Sequence, residues 1–171
     1  MEAADIGAAL ERASDALARN PEQGRSATAP LTATLLDGLR VEVRGAAGEL
    51  VLTDMPTSLG GEATAPSPGW LLRAALAACN ATVIAMRAAR RGVRLTRLEV
   101  AAESVADGRR LLGVDDSAAP VLELRLTVRI GAEGASDEAL RSLVDWAEAH
   151  SPVGCTLRQP PPLSTRVEIA S

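Results

Sequence analysis

One run constrains this chain more than any other. Within the segment Trp70 to Arg91, the residues from Leu71 to Met86 are apolar or small nearly all the way round, interrupted by Arg73 and Asn80. Pro68 stands where a first helical turn tolerates its missing N–H, and Gly92 stands where a helix end needs a cap. A helix that is apolar around most of its circumference has to be covered on most sides, so the run predicts a buried central helix. A membrane span needs about 20 apolar residues without embedded charge, and this run reads as too short and too polar for one.

The flanking sequence supplies the cover. Leu31–Leu36, the turn Asp37-Gly38, Leu39–Arg44, the turn Ala46-Ala47-Gly48 and Leu50–Thr53 read as a meander of short antiparallel strands. Met55 to Pro68 is a Gly/Pro/Ser/Thr-rich loop with no room for regular structure. After the helix, Arg94–Ala106 and Val121–Ala132 are long strand candidates joined by a polar stretch. In the second, Leu122, Leu124, Leu126, Val128 and Ile130 alternate with Glu123, Arg125, Thr127 and Arg129. Period-two alternation of this kind gives one core face and one wet face.

Ser136 then caps a helix with Asp137 and Glu138 in its first turn and an apolar stripe at Leu140, Leu143, Val144 and Ala147. Pro152 ends or restarts it, and Leu163–Ile169 reads as a closing strand. At the other end, Ile6, Leu10, Ala13 and Leu17 recur at helical spacing between Asp5 and Arg19, and Asn20-Pro21 is a stop signal. The expected organisation is residues 1–24 as an amphipathic helix and linker, and 25–171 as one α+β domain.

Composition narrows the partners. All 18 basic residues are arginine, the 22 acidic ones outnumber them, and Trp70 and Trp146 are the sole aromatics, since Phe and Tyr are absent. That leaves neither a dense basic stripe nor a stacking platform, so nucleic acid is not an expected partner. The acidic start without an apolar signal core predicts a cytoplasmic protein. Two cysteines make no disulfide framework, and in a reducing compartment a free or redox-active thiol is expected instead.

The segment Pro68-Gly-Trp-Leu-Leu-Arg-Ala-Ala-Leu-Ala-Ala-Cys79 resembles the Pro-x-x-Leu-Leu-x-Ala-Ala-Leu-Ala-x-Cys signature of the OsmC/Ohr family. Ser151-Pro152-Val153-Gly154-Cys155 is similar to that family's Cys-Pro-Val segment. The resemblance covers roughly residues 30 to 170. It implies antiparallel sheets wrapped around buried central helices in an intertwined homodimer. It further implies a cysteine on the central helix that reduces organic hydroperoxides with a thiol reductant, a second cysteine that resolves the sulfenic acid, and an arginine and a glutamate that hold the geometry.

Carried over position by position, Cys79 matches the peroxide-reacting cysteine. The resolving cysteine falls on Ser151 and the glutamate on Gly69. Arg40 and Arg44 are the candidates for the arginine. Cys155, four residues after Ser151, is the candidate replacement resolver, because a helix there would place both on one face. Gly69, Trp70, His150 and Ser151 are the candidate pocket residues. His150 also suits a helix C-terminal cation, and Ser151 an N-cap. No metal or organic cofactor is implied, because one histidine and two scattered cysteines make no recognisable zinc site. Three readings stay open on these residues: hydroperoxide reduction through Cys79, a non-catalytic dimer of the same fold that binds a small apolar ligand, and an Ala-rich helix that only makes a structural dimer.

Overall fold

The computed structural model describes residues 3–116 and 121–170. Strands β1 (Thr32–Leu35), β2 (Val41–Arg44) and β3 (Leu50–Thr53) form an antiparallel meander. Its register sets Leu35 opposite Val41 and Val41 opposite Thr53. All three strands fall inside the expected runs. Leu35, Leu50, Val51 and Leu52 are nevertheless exposed, so within one chain this sheet carries apolar surface that nothing covers.

Helix α2 (Pro68–Arg90) begins where Ser67 Oγ accepts a bond from Trp70 N at 3.3 Å, and Gly92 ends it in the left-handed region at φ +66°. The helix packs against the strand β4 (Leu95–Ala106) and against the helices α1 (Ala3–Arg19), α3 (Asp137–His150) and α4 (Pro152–Arg158). Two sequence expectations need correcting here. First, the helix is not covered on most sides within the chain. Leu76, Asn80, Val83, Ile84, Ala88 and Ala89 are buried, while Ala75, Ala78, Thr82, Ala85 and Met86 form an exposed stripe along the other side. The neighbours present reach one face only. Second, at 23 residues it is long and apolar enough, by length and composition alone, to cross a membrane, a criterion that the core helix of a soluble protein also meets.

Strand β4 pairs antiparallel with β5 (Val121–Ala132), setting Val100 opposite Val128 and Glu99 opposite Arg129. The alternation sorts the two faces as expected. Leu98, Val100, Val128 and Ile130 pack on Val83, Ile84 and Ala147, which with Cys79, Val144 and Trp146 make the core. On the outer face Arg97 forks onto Glu99 at 3.1 and 3.0 Å. Exposed pairs of this kind contribute about 0–1 kcal/mol, so the inner face does the stabilising.

Ser136 caps α3 as expected, its Oγ accepting from Ala139 N at 3.2 Å. Pro152 restarts the chain as α4. Helix α1 lies on the far end of α2, its buried Gly7 against the Ala89 carbonyl. The closing strand at Leu163–Ile169 does not form. The segment runs without regular structure, Leu163 is 95% and Ile169 88% exposed, and among the described residues no strand pairs with it. Alternation makes a segment competent to be a strand, but its backbone groups still need an edge to pair with.

Candidate functional site

Cys79 sits midway along α2, half-buried, with its side chain against the core residues Val83, Ile84 and Ala147. Ser151 arrives from the junction of α3 and α4. It closes the first helix, its N–H donating to Ala147 O at 2.7 Å, and caps the second, its Oγ accepting from Gly154 N at 3.2 Å. Fixed from both sides and fully buried, the Ser151 hydroxyl donates to Cys79 Sγ at 3.2 Å. Two residues 72 positions apart are thus brought into contact. A sulfur that accepts a hydroxyl bond from a fixed donor is held in one orientation, and the bond strengthens when the sulfur carries charge.

Near this pair, a cleft of about 220 Å³ opens between α2, β5, α3 and α4, lined by Leu76, Leu124, Leu126, Glu148, Gly154, Leu157 and Arg158. Leu76 lies one turn before Cys79, and Gly154 bonds Ser151. The cleft therefore neighbours the pair through Leu76 and Gly154, and neither Cys79 nor Ser151 lines it.

The remaining candidates lie elsewhere. Cys155 follows Ser151 by one turn, its N–H bonded to Ser151 O at 2.8 Å, but its thiol points back to the Ala149 carbonyl at 3.3 Å. Both cysteines are free. His150 turns away to stack on Trp146, ring centroids 3.9 Å apart, with Nδ1 2.7 Å from Trp146 O. The Arg87 guanidinium lies over the same indole at 4.6 Å. Burial, then the charges of Arg91 and Arg90, lower the Arg87 pKa from its ordinary value. Gly69 and Trp70 are exposed at the start of α2, roughly 15 Å along the axis from Cys79 by the helical rise of about 1.5 Å per residue. Arg40 pairs with Asp37 at 3.4 Å and Arg44 with Glu42, Nη2 to Oε2 at 2.9 Å. Both arginines belong to the three-stranded sheet and are engaged with neighbouring carboxylates.

One organising residue escaped the sequence reading. Asp54, at the end of β3, is buried, and its carboxylate accepts from Met55 N at 2.7 Å, Glu62 N at 3.2 Å, Thr64 N at 2.9 Å and Thr64 Oγ1 at 2.8 Å. The Thr64 backbone bond leads in holding its pKa below the usual carboxylate value. Burial opposes it, and the Thr64 hydroxyl, Met55 and Glu62 bonds add to the lowering. These bonds fold the loop that feeds α2, and one short 3-10 turn at Thr57–Leu59 forms inside a segment expected to be wholly irregular. A lone Asp before a Gly-rich loop reads as solvated, and nothing in the sequence marks it otherwise. Among the described residues no group of three or more His, Cys, Asp or Glu side chains could hold a metal ion.

The family model described as "OsmC-like protein" matches residues 60–166, which is more than half of the chain and includes both Cys79 and Ser151. The chain belongs to the OsmC-like family. Solved structures agree on the fold. The OsmC-like protein from Mycoplasma pneumoniae superposes with a TM-score of 0.67 at 17% identity, covering 80% of this chain and 91% of that one. An organic hydroperoxide resistance protein OsmC from Legionella pneumophila gives 0.58 at 21% identity, covering 78% and 93%. An organic hydroperoxide resistance protein from Vibrio cholerae, with captopril bound in one of its active sites, gives 0.55 at 23% identity, covering 79% and 88%. No curated protein matches the sequence. The OsmC-like fold accounts for the element order strands, central helix, strands, helices.

Proposed function

We propose that this OsmC-like protein reduces organic hydroperoxides through Cys79, as a soluble cytoplasmic homodimer that draws on a thiol reductant. The observation that carries the reading is the Cys79–Ser151 contact: a half-buried thiol, oriented by a buried hydroxyl at 3.2 Å and one helical turn from Leu76, which lines a neighbouring cleft. A thiolate in such a setting attacks the terminal peroxide oxygen, and the neighbouring cleft receives the organic group. The names of the Legionella and Vibrio relatives support this class of substrate. Residues 25–171 make the OsmC-like domain and 1–24 its appendage.

The homodimer is supported by three uncovered apolar surfaces in one chain: the Ala75-Ala78-Ala85 stripe of α2, the leucines of the first sheet, and the unpaired segment Leu163–Ile169. Apolar surface on this scale in a 171-residue chain marks an interface. A second copy would also bring further residues to the thiol, as the distance of Gly69 and Trp70 from Cys79 along one helix requires if they serve it. A free thiol pair suits a reducing compartment.

The test is consumption of cumene hydroperoxide by the reduced protein in the presence of dithiothreitol, beside Cys79→Ser. Loss of consumption in the variant is the expected result; wild type no faster than the variant would overturn the reading. The second reading, a non-catalytic dimer that binds a small apolar ligand, is favoured by Ser151 and Gly69 standing where the family resemblance places a resolving cysteine and a glutamate. It predicts apolar-ligand affinity that survives Cys79→Ser.

A further inference from the structure

We propose that Ser151 is the positioning residue of a single-cysteine cycle, its buried hydroxyl holding the Cys79 sulfur and leaving the oxidised Cys79 to be reduced by a free monothiol. This rests on the hydroperoxide reading above. Ser151 occupies the place beside Cys79 that a resolving thiol would need, with Oγ 3.2 Å from Sγ, and a hydroxyl forms no disulfide. The other thiol of the chain is turned to the Ala149 carbonyl at 3.3 Å, on the outer side of the α3–α4 junction. Around it lies a separate cleft of about 490 Å³, lined by Cys155 itself with Asp145, Glu148, Ala149, Arg158 and Gln159, which does not include Cys79.

The cycle balances without a second protein cysteine. The Cys79 thiolate gives an electron pair to the terminal oxygen of R–O–O–H. The O–O bond breaks, an S–O bond forms, and the alkoxide leaves, taking a solvent proton to become the alcohol. The sulfur is oxidised to sulfenic acid and the peroxide reduced by two electrons. A monothiol then attacks the sulfenic sulfur, hydroxide leaves and is protonated to water, and a mixed disulfide remains. A second monothiol breaks that disulfide, returning the Cys79 thiolate and releasing the disulfide of the two monothiols. The Ser151 hydroxyl is placed to donate to the sulfur before attack and to the sulfenate oxygen or sulfur after it.

The experiment treats reduced full-length protein with one equivalent of cumene hydroperoxide, traps sulfenic acid with dimedone, and maps peptides without reduction. Wild type is expected to carry the dimedone adduct on Cys79 and no Cys79–Cys155 disulfide, and to turn over with a monothiol such as 2-mercaptoethanol. Ser151→Cys is expected to replace the adduct with a disulfide between positions 79 and 151, a redox signature that a merely structural serine would not produce. Ser151→Ala is expected to slow sulfenic acid formation about tenfold, the loss expected for one hydrogen bond to a charged group, with Ser151→Thr restoring much of it. A Cys79–Cys155 disulfide in the wild type, or an unchanged rate in Ser151→Ala, overturns the proposal while leaving the hydroperoxide reading intact. If Cys79 is not oxidised at all, the hydroperoxide reading falls, and this cycle with it.

Discussion

Replacing Gly61 with alanine tests whether the Asp54 cage fixes the loop that feeds the central helix. A Cβ built on Gly61 would lie against the Met55 carbonyl oxygen, 2.5 Å from the Met55 carbonyl carbon and 2.9 Å from Asp54 Oδ1. Ordinary contact starts near 3.4 Å, and two of these three neighbours are backbone, which cannot swing aside as a side chain would. The loop must therefore open. Opening it pulls on Ala63 N→Met55 O at 3.1 Å and Gly61 N→Pro56 O at 3.2 Å. Each of the two lost bonds costs about 0.5–1.5 kcal/mol and the overpacking about 1–3 kcal/mol, so the expected destabilisation is about 2–6 kcal/mol. In equilibrium urea unfolding at one fixed protein concentration, with a slope near the middle of the usual range at about 2 kcal/mol/M, the midpoint should fall by about 1–3 M. Gly69→Ala is the internal control. Its Cβ would meet nothing within 4 Å, and in a helix alanine gains up to about 1 kcal/mol over glycine. A Gly61→Ala midpoint equal to wild type would refute the tight loop and the reasoning from it.

Ile84 is 1% exposed in the core cluster, so Ile84→Ala should cost about 2–5 kcal/mol in the same urea assay; a cost below about 1 kcal/mol would mean that the site is not packed. Asp54 has a lowered pKa in the folded state, so its bonds add stability that is present above the unfolded pKa of about 3.9 and is lost as pH falls through the folded value. The Tm difference between wild type and Asp54→Asn should therefore be constant at neutral pH and shrink below about pH 4, whereas a difference independent of pH down to 2 would contradict the assignment. Ala78 lies on the exposed stripe of α2. Ala78→Asp should convert a particle of twice the 17.7 kDa chain mass into one of single mass by light scattering at micromolar concentration, and a wild type that is already monomeric would sink the dimer.

Where local chemistry decides an element, the sequence was legible. Residues 122–130 alternate strictly and lie in β5, Ser136 and its acidic first turn start α3, and Pro152 restarts the chain as α4. What the sequence could not specify depends on which neighbour arrives. The all-round apolar helix says that cover is needed but not how much one chain supplies, and Leu163–Ile169 alternates without naming an edge to join. The Cys79–Ser151 contact spans 72 positions; the paired family motifs hinted at it, and no periodicity could. Asp54 was invisible for a different reason: its partners are mostly backbone N–H groups, and backbone donors leave no mark in the choice of residue types.

The poverty of aromatic side chains gives the molecule built-in optical labels. With Tyr and Phe absent, near-ultraviolet absorption and emission come from two indoles in unlike places. Trp70 is half exposed at the entry of α2, while Trp146 contacts both Arg87 and His150 where α2 meets α3. Trp70 should emit to the red and respond to anything that covers the start of the helix. Trp146, pressed against a guanidinium and an imidazole, should emit to the blue, be partly quenched, and brighten when the α2–α3 packing opens. Single-tryptophan variants of this chain would thus report subunit contact and core unfolding as separate signals without any attached dye.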